Sequence, residues 1–325
     1  MTAPSTTVHT PESAAAARLY GLGKGTTTLL MGAPGAGKTF SLLTLAEAGL
    51  ETAVIGTDPG FEESLLDAQH KRNFAGHIHT QYIAPVAASW GILLDAFSKI
   101  NQMSYESLSS LKAGIGKEGY RQMLDFLSTC SNFKCESCGK VLGPVDSWDA
   151  TRALAVDSAS GLNMMTMHMM IGAKPTAHQG EYGVAMNAEE QLLYKLVADT
   201  SCFFVLTCHM DRVHDEIAGN VKIMPAFLGN KLAPKIPRIF SDVVLAYKEG
   251  DKFYWSTAAA SVDLKNRALP LRDKLEPSFK QIVEVWKRRQ EQLRKQVEAE
   301  EQRRKQAAIS AAPPSGAATQ VSKVS

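Results

Sequence analysis

The chain has 325 residues, of which 45% are hydrophobic, enough to bury one large core or two modest ones. Its 35 Lys and Arg against 33 Asp and Glu give a formal charge of +2, which excludes nucleic-acid binding through net charge alone. The apolar stretches are shorter than the roughly 18 to 20 residues that span a bilayer, and the N-terminus lacks the pattern of a signal peptide. Five cysteines are too few for a disulfide scaffold, so we expect a cytoplasmic protein that does not enter a membrane.

Strand-like and helix-like segments alternate from residue 18 to about residue 270, an order typical of an α/β core with a mostly parallel sheet flanked by helices. Residues 1–17 are rich in Thr, Ser, Pro and Ala and are expected to be flexible. The predicted strands are Thr27–Met31, Thr52–Thr57, Ile78–Ile83, Arg152–Asp157, Phe203–Cys208 and Val243–Tyr247. A short turn at residues 249–251 predicts a hairpin between the last strand and Lys252–Ser256.

Two other segments interrupt or follow this core. Residues 88–150 form a long connection with helical stretches at Trp90–Ile100 and Tyr120–Leu127, and we interpret it as an insertion. Residues 271–308 predict one long charged helix, and residues 309–325 are expected to be disordered. The helix carries a thin apolar line suited to a partner helix or to the body of the protein, formed by Phe279, Ile282, Trp286, Leu293 and Val297.

The first predicted strand runs into a glycine-rich loop with the spacing Gly-x4-Gly-Lys-Thr, the Walker A pattern. Its glycines allow positive φ and a close approach of backbone N–H groups to phosphates, and the following helix adds its positive end. Lys38 supplies charge for the β- and γ-phosphates, and the Thr39 hydroxyl is placed to hold Mg²⁺. The residues expected to bind ATP are Gly32, Ala33, Pro34, Gly35, Ala36, Gly37, Lys38, Thr39 and Phe40.

The fourth predicted strand ends at Asp157, the position of a Walker B carboxylate that orients Mg²⁺ through its water shell. An ordinary strand followed by an Asp-Ser turn would show the same residues. The Walker A loop upstream favours the metal site, so Thr39 and Asp157 are the predicted magnesium residues.

Three segments resemble RecA-type ATPases. Val156–Leu162 is similar to their Walker B strand, where an Asp-Ser pair precedes the first DNA-binding loop. Phe203–Met210 resembles their fifth core strand, and Val262–Arg267 resembles the Lys-x-Arg finger of DnaB-, RadA- and KaiC-like ATPases. Residues 18–270 thus resemble the RecA-like phage nucleotide-binding proteins of single-strand annealing and recombination.

This resemblance implies a RecA-like phosphate-loop core with an active site shared between subunits. His209 would sense the γ-phosphate, and Lys265 and Arg267 would reach the nucleotide of a neighbour in a ring or filament. His209 as a core histidine, and the two cations as a solvated face, are the alternatives.

The catalytic base is less clearly marked. RecA relatives place a Glu after the second or third core strand to orient the attacking water. Asp58, Glu62 and Glu63 all follow the second strand here; we favour Glu62, with Asp58 as a further residue of the metal site. Alternatively, Glu62 and Glu63 only favour the first turn of a helix.

Two polar connections occupy the positions of the DNA-binding loops in RecA relatives, about residues 163–186 and 211–238. Basic residues neutralise phosphates and an aromatic ring can stack on a base, a combination suited to single-stranded DNA. Oligomer contacts or plain surface loops are the alternative. The predicted DNA-binding residues are Arg212, Lys222, Phe227, Lys231 and Lys235.

The insertion carries the spacing Cys130-x4-Cys135-x2-Cys138-Gly, which resembles half of a zinc knuckle. Three sulfurs suit Zn²⁺, but a fourth ligand is not evident nearby in the sequence. Reduced, unliganded thiols are the other reading.

The leading hypothesis is an oligomeric, Mg²⁺-dependent RecA-like ATPase that acts on single-stranded DNA in recombination, repair or replication, of the kind that phages encode. The alternative is a nucleotide-dependent regulatory or assembly ATPase that does not touch DNA. A small-molecule kinase is disfavoured because no lid segment with paired arginines is evident.

Overall fold

The structure is a computed structural model, and it describes residues 21–85, 89–98, 102–104, 120–172, 177–215, 220–259 and 262–311. The N-terminal segment predicted to be flexible, residues 1–17, lies outside these ranges, as do residues 312–325 of the predicted disordered tail. The chain divides into two compact units, Lys24–Trp286 and a smaller one that combines Met1–Gly23 with Lys287–Ser325.

The larger unit is built on a seven-stranded sheet with the order β11-β10-β1-β7-β6-β2-β3. All neighbours are parallel except the β10–β11 pair, which is an antiparallel hairpin. The strands in chain order are β1 (Thr27–Gly32), β2 (Glu51–Gly56), β3 (His79–Tyr82), β4 (Phe133–Lys134), β5 (Val141–Gly143), β6 (Arg152–Asp157), β7 (Phe203–Cys208), β8 (Met210–Asp215), β9 (Asn220–Pro225), β10 (Asp242–Glu249) and β11 (Lys252–Ser256). Strands β4–β5 and β8–β9 form two separate antiparallel pairs.

Helices connect the parallel strands. They are α1 (Lys38–Glu47), α2 (Phe61–Lys71), α3 (Trp90–Ser98), α4 (Arg121–Ser131), α5 (Ala159–Ile171), α6 (Gln179–Tyr194), α7 (Gly229–Leu232), α8 (Ile236–Ile239) and α9 (Lys280–Ala311). Within the described residues, none of them is both long and apolar enough to cross a membrane.

Apolar cores lie on both faces of the sheet, as expected for parallel strands covered by helices. Side chains of β1 alternate between them, with Leu29 and Met31 in one cluster and Leu30 in the other. Every residue of β1 and of β7 is buried. These buried central strands therefore hold the residues that follow their carboxyl ends in fixed positions.

The predicted α/β class and mostly parallel sheet are confirmed, together with the cysteine-containing insertion and the long C-terminal helix. Each predicted strand is present, with its ends shifted by at most two residues. The pairs β4–β5 and β8–β9 were not predicted, because two- or three-residue strands and strands of mixed polarity give little periodic signal.

Helix α9 begins at Lys280 rather than near residue 271. The preceding segment continues the sheet region instead, since Leu275 and Trp255 exchange backbone hydrogen bonds of 2.8 and 2.9 Å. Phe279 and Ile282 of the predicted apolar line are buried in the larger unit. In the smaller unit, the Gly23 N–H donates to Oε1 of Gln290 at 2.8 Å.

Candidate active site

The glycine-rich loop between β1 and α1 has the backbone that a phosphate cradle needs. Gly35 and Gly37 have φ of 72° and 80°, the left-handed region that favours glycine. Gly37 precedes α1 and makes no side-chain cap, so the first N–H groups of the helix remain directed to the loop. A Cβ at Gly32 would lie 2.4 Å from the carbonyl oxygen of Ala246, so this close approach to β10 also requires glycine.

Lys38 folds back over this loop. Its Nζ donates to the carbonyl oxygens of Gly32 at 2.9 Å and Ala33 at 3.0 Å. Burial lowers the pKa of Lys38, and the carboxylate of Asp157 opposes that shift. A buried ammonium group thus lies where the loop would receive an anion.

Asp157, the last residue of β6, contacts both the end of the Walker A sequence and the neighbouring strand β7. Its Oδ2 accepts a hydrogen bond of 2.6 Å from the Thr39 hydroxyl, and its Oδ1 accepts one from the hydroxyl of Thr207 on β7. Burial raises the pKa of Asp157, while the hydrogen bonds from Thr207 and Thr39 act in the opposite direction. The hydroxyl and carboxylate are hard oxygen donors, and together with the glycine cradle they fit Mg²⁺ bound to a nucleotide.

A second set of polar side chains follows at the same edge of the sheet. The Ser158 hydroxyl donates to Oδ2 of Asp58 at 2.5 Å, and Nε2 of His209 lies 3.8 Å from the same oxygen. Thr57, which precedes Asp58, also holds the backbone of Ser158: its hydroxyl donates to the Ser158 carbonyl and accepts from the Ser158 N–H. Burial, followed by the nearby charge of Lys38, lowers the pKa of His209. The structure therefore places His209 beside Asp58, at the same edge of the sheet as Asp157.

Glu62 was the residue favoured as the catalytic base. It is an exposed residue in the first turn of α2, where acidic side chains suit the helix N-terminus. Among the described residues, Asp58 rather than Glu62 makes the contacts with Ser158 and His209. The sequence did not single out Asp58 as the central carboxylate here, because the contact depends on the neighbouring positions of β2 and β6.

Lys265 and Arg267 lie at the opposite end of the sheet. Lys265 exchanges backbone hydrogen bonds of 2.7 and 3.2 Å with Val243, near the start of β10. The Arg267 N–H donates to Oδ1 of Asp242 at 2.7 Å. Asp242 pairs in register with Thr28, four residues before the end of β1, which is about 13 Å along a strand.

The segment predicted to bind DNA is an antiparallel hairpin, β8–β9, followed by two short helices. Arg212, Lys231 and Lys235 are exposed. Lys222 is paired with Asp263 at 2.7 Å. Phe227 is only 7% exposed and packs in the core, so it does not provide the predicted stacking surface in this structure.

The first predicted DNA-binding loop, residues 163–186, is largely helical. Helix α5 continues to Ile171 and α6 begins at Gln179. Methionine-rich sequence suits a helix as well as a loop, and the Ser158 hydroxyl caps α5 by accepting from the Ser160 N–H at 3.2 Å.

The three predicted zinc sulfurs are not brought together. Cys135 and Cys138 lie with His77 and His79, and the ligand atoms of these four residues are within 4.8 Å of one another. Cys130 lies on α4 and packs against the apolar core, and burial raises its pKa to about 12. The two histidines were missed because they are more than fifty residues away in sequence.

In the expected α/β core with its mostly parallel sheet, β7 lies between the strand that precedes the Walker A loop and the strand that ends at Asp157. No family model matches the chain, and no curated protein matches it. Among solved structures it is similar to the crystal structure of the RadB recombinase, with 14% identity over 78% of this chain and 86% of that one. The TM-score is 0.38.

Proposed function

We propose that the chain is an ATP-binding and ATP-hydrolysing RecA-like ATPase that acts on single-stranded DNA in recombination, repair or replication. The observation that supports it is the contact between Thr39 and Asp157 beside the buried Lys38, at the end of a glycine loop. On the basis of the sequence resemblance, we also propose that the protein is of the kind that phages encode.

Each residue of the site has a defined task in this proposal. The loop N–H groups and Lys38 bind and orient the phosphates, while Thr39 and Asp157 hold the metal ion. Thr207 fixes one carboxylate oxygen of Asp157, so that the other faces Thr39. When bound, Mg²⁺ neutralises charge on the transferred phosphoryl group.

The residue that orients the attacking water is proposed to be Asp58 or Glu62. The contacts of Asp58 with Ser158 and His209 favour Asp58. Single-turnover hydrolysis by Asp58→Asn and Glu62→Gln variants would separate the two, because loss of the base slows the chemical step without removing nucleotide binding. If Asp58→Asn hydrolyses ATP in a single turnover as fast as the unaltered chain, Glu62 would be the residue that orients the water.

The finger is proposed to act on a neighbouring subunit in a homo-oligomer. The backbones of Lys265 and Arg267 are attached to the start of β10, whereas the glycine loop follows the end of β1, so the length of a strand separates them from the loop of their own chain. Nζ of Lys265 donates to the carbonyl oxygens of Arg238 and Phe240, at 3.0 and 2.6 Å. These bonds hold the Lys265 side chain, the first residue of the Lys-x-Arg finger, against its own chain.

The test is ATP hydrolysis by the full chain with Mg²⁺, with and without single-stranded DNA. We expect hydrolysis to be stimulated several-fold by DNA and abolished by Lys38→Ala, while Lys71→Ala on the surface of α2 serves as the matched control. Hydrolysis that Lys38→Ala leaves intact would contradict the proposal.

A regulatory or assembly ATPase that does not contact DNA is the second candidate. It is favoured by the pairing of two predicted DNA-binding lysines with acids: Lys222 with Asp263 at 2.7 Å, and Lys235 with Glu190 at 3.0 Å. Hydrolysis that requires Lys38 but is indifferent to DNA would support it.

A further inference from the structure

The edge strand of the sheet meets the insertion at a turn that carries two cysteines. Strand β3 ends the sheet order, so one side of it is open to pairing. The turn between β4 and β5 covers that side: the Glu136 N–H donates to the Thr80 carbonyl at 2.9 Å, and the Thr80 N–H donates to Sγ of Cys135 at 3.4 Å.

Four metal-binding side chains converge at this junction. His79 begins β3 and His77 lies two residues before it, while Cys135 and Cys138 come from the turn. Sγ of Cys138 lies 3.4 Å from Nδ1 of His79, and the two imidazole rings are 4.6 Å apart. Tetrahedral Zn²⁺ with bonds of about 2.0–2.3 Å places neighbouring donor atoms about 3.3–3.8 Å apart. Small side-chain adjustments would therefore bring the four donors onto one ion.

Backbone hydrogen bonds close the turn that carries the two cysteines. The Cys135 N–H donates to the Lys140 carbonyl at 2.9 Å, and the Gly139 N–H donates to the Cys135 carbonyl at 3.0 Å. Gly139 has φ of 71°, which lets the chain reverse immediately after the second cysteine. Both sulfurs are thereby held toward the same side of the turn.

A carboxylate supports the histidine that lies deepest in the junction. Nε2 of His79 is 3.7 Å from Oε1 of Glu51, and Oε2 of Glu51 accepts a hydrogen bond of 2.7 Å from Arg152. Metal-bound histidines commonly donate their second ring N–H to a carboxylate, which fixes the ring and its tautomer. Here Nδ1 faces the sulfur and Nε2 faces the carboxylate.

We propose that His77, His79, Cys135 and Cys138 bind one Zn²⁺, which fastens the insertion to the edge of the sheet. Two nitrogens and two sulfurs complete a tetrahedral ion, so no coordination position is left for water or substrate and the role is structural. Cys130 is not a ligand. This inference does not depend on the proposed ATPase.

The first experiment measures metal in the full chain purified from zinc-supplemented medium. We expect about one zinc per chain. The Cys135→Ser, Cys138→Ser and His77→Ala variants should lose it, whereas Cys130→Ser and His70→Ala should retain it as matched controls. An unaltered chain without zinc, or loss of zinc in Cys130→Ser equal to that in Cys135→Ser, would overturn the proposal.

A second experiment keeps the test valid if a cysteine variant fails to fold. The zinc of the unaltered chain is exchanged for Co²⁺, whose visible absorption reports tetrahedral geometry and thiolate ligands. His77 is exposed, so His77→Cys should fold and bind Co²⁺ with a thiolate charge-transfer band about one half stronger, from three sulfurs instead of two. An octahedral Co²⁺ spectrum, or a band that His77→Cys leaves unchanged, would contradict the assigned ligands.

Discussion

At the scale of single residues, the Asp157 carboxylate is the point where the glycine loop and the strand β7 meet. Each of its two oxygens accepts a hydrogen bond from a threonine hydroxyl, one from Thr39 and one from Thr207. Because the carboxylate is buried, water cannot replace a hydrogen bond that is lost. Removing either threonine hydroxyl therefore leaves a buried carboxylate oxygen without a partner, which is unfavourable. The orientation of Asp157 therefore depends on side chains from two other elements.

Replacing Thr207 by valine tests this dependence. The change keeps the branched shape of the side chain but removes the hydroxyl from Asp157. We expect Mg²⁺-dependent ATP hydrolysis to fall about ten- to a hundredfold, the rate equivalent of roughly 1.5–3 kcal/mol for a hydrogen bond to a charged group. Thr28→Val, the same change on β1, is the control; equal rates for Thr207→Val and the unaltered chain would show that the hydroxyl does not support the site.

Part of the candidate site could be predicted from the sequence because its residues have a recognisable spacing along the chain. Lys38, Thr39 and Asp157 belong to this part, since the loop spacing and the acid at a strand end mark them directly. Thr207 and Asp58 could not be found in this way, because their contacts arise from which strands are neighbours in the sheet. Phe227 shows the converse error: an aromatic residue in a polar segment was predicted to be exposed, whereas the chain returns to the core directly after β9.

At the scale of elements, helix α6 carries a buried acid that the proposed chemistry does not use. Glu189 is fully buried, and neither carboxylate oxygen has a hydrogen-bond partner among the described residues. Burial raises its pKa from 4.5 to about 8. The folded chain therefore keeps this proton over a pH range in which the unfolded chain has released it.

The consequence is a stability that falls as pH rises from about 4.5 to about 8, because over this range the folded state binds more protons than the unfolded state. We expect Glu189→Gln to raise the free energy of unfolding at pH 8 by an amount on the order of a few kcal/mol, and to have little effect near pH 4. Urea unfolding at several pH values measures this, with the exposed Glu284→Gln as control. A Glu189→Gln effect that is the same at pH 4 and pH 8 would contradict the assignment.

The hairpin β8–β9 is the element that best tests contact with DNA. Arg212 is exposed on β8, whereas Lys222 on β9 is paired with Asp263. We expect Arg212→Glu to weaken binding of single-stranded DNA and to make its salt dependence shallower by about one phosphate contact. Fluorescence anisotropy at several salt concentrations provides the measurement, with Lys71→Glu as the charge-matched control; equal weakening by both variants would indicate an effect of net charge rather than a site.

The two hairpins are the secondary-structure elements that could not be predicted from the sequence. The long buried strands were predicted because continuous apolar runs between turns are a strong signal. Strands β8 and β9 mix polar and apolar residues and lack a continuous apolar run. Strands β4 and β5 have only two and three residues, and their turn is supported by a contact with a distant part of the chain, that of Glu136 with Thr80. No local pattern encodes such a contact.

At the scale of the whole molecule, the sheet separates two halves of the proposed active site. The glycine loop, Asp157 and His209 lie at the carboxyl ends of the central strands, while Lys265 and Arg267 are attached near the start of β10. Repeating one head-to-tail interface would bring the start of β10 in one subunit to the loop of the next, which leads to a ring or a filament. We therefore expect an ATPase whose active site is complete only in an oligomer.

Mixing two inactive variants shows whether two subunits share one active site. Lys38→Ala removes the phosphate lysine and Arg267→Ala removes the finger, so each variant alone should hydrolyse little ATP. In an equal mixture, roughly a quarter of the interfaces would join an intact loop to an intact finger, and we expect about that fraction of the unaltered rate to return. A mixture that assembles normally but remains as inactive as its components would contradict a site shared between subunits.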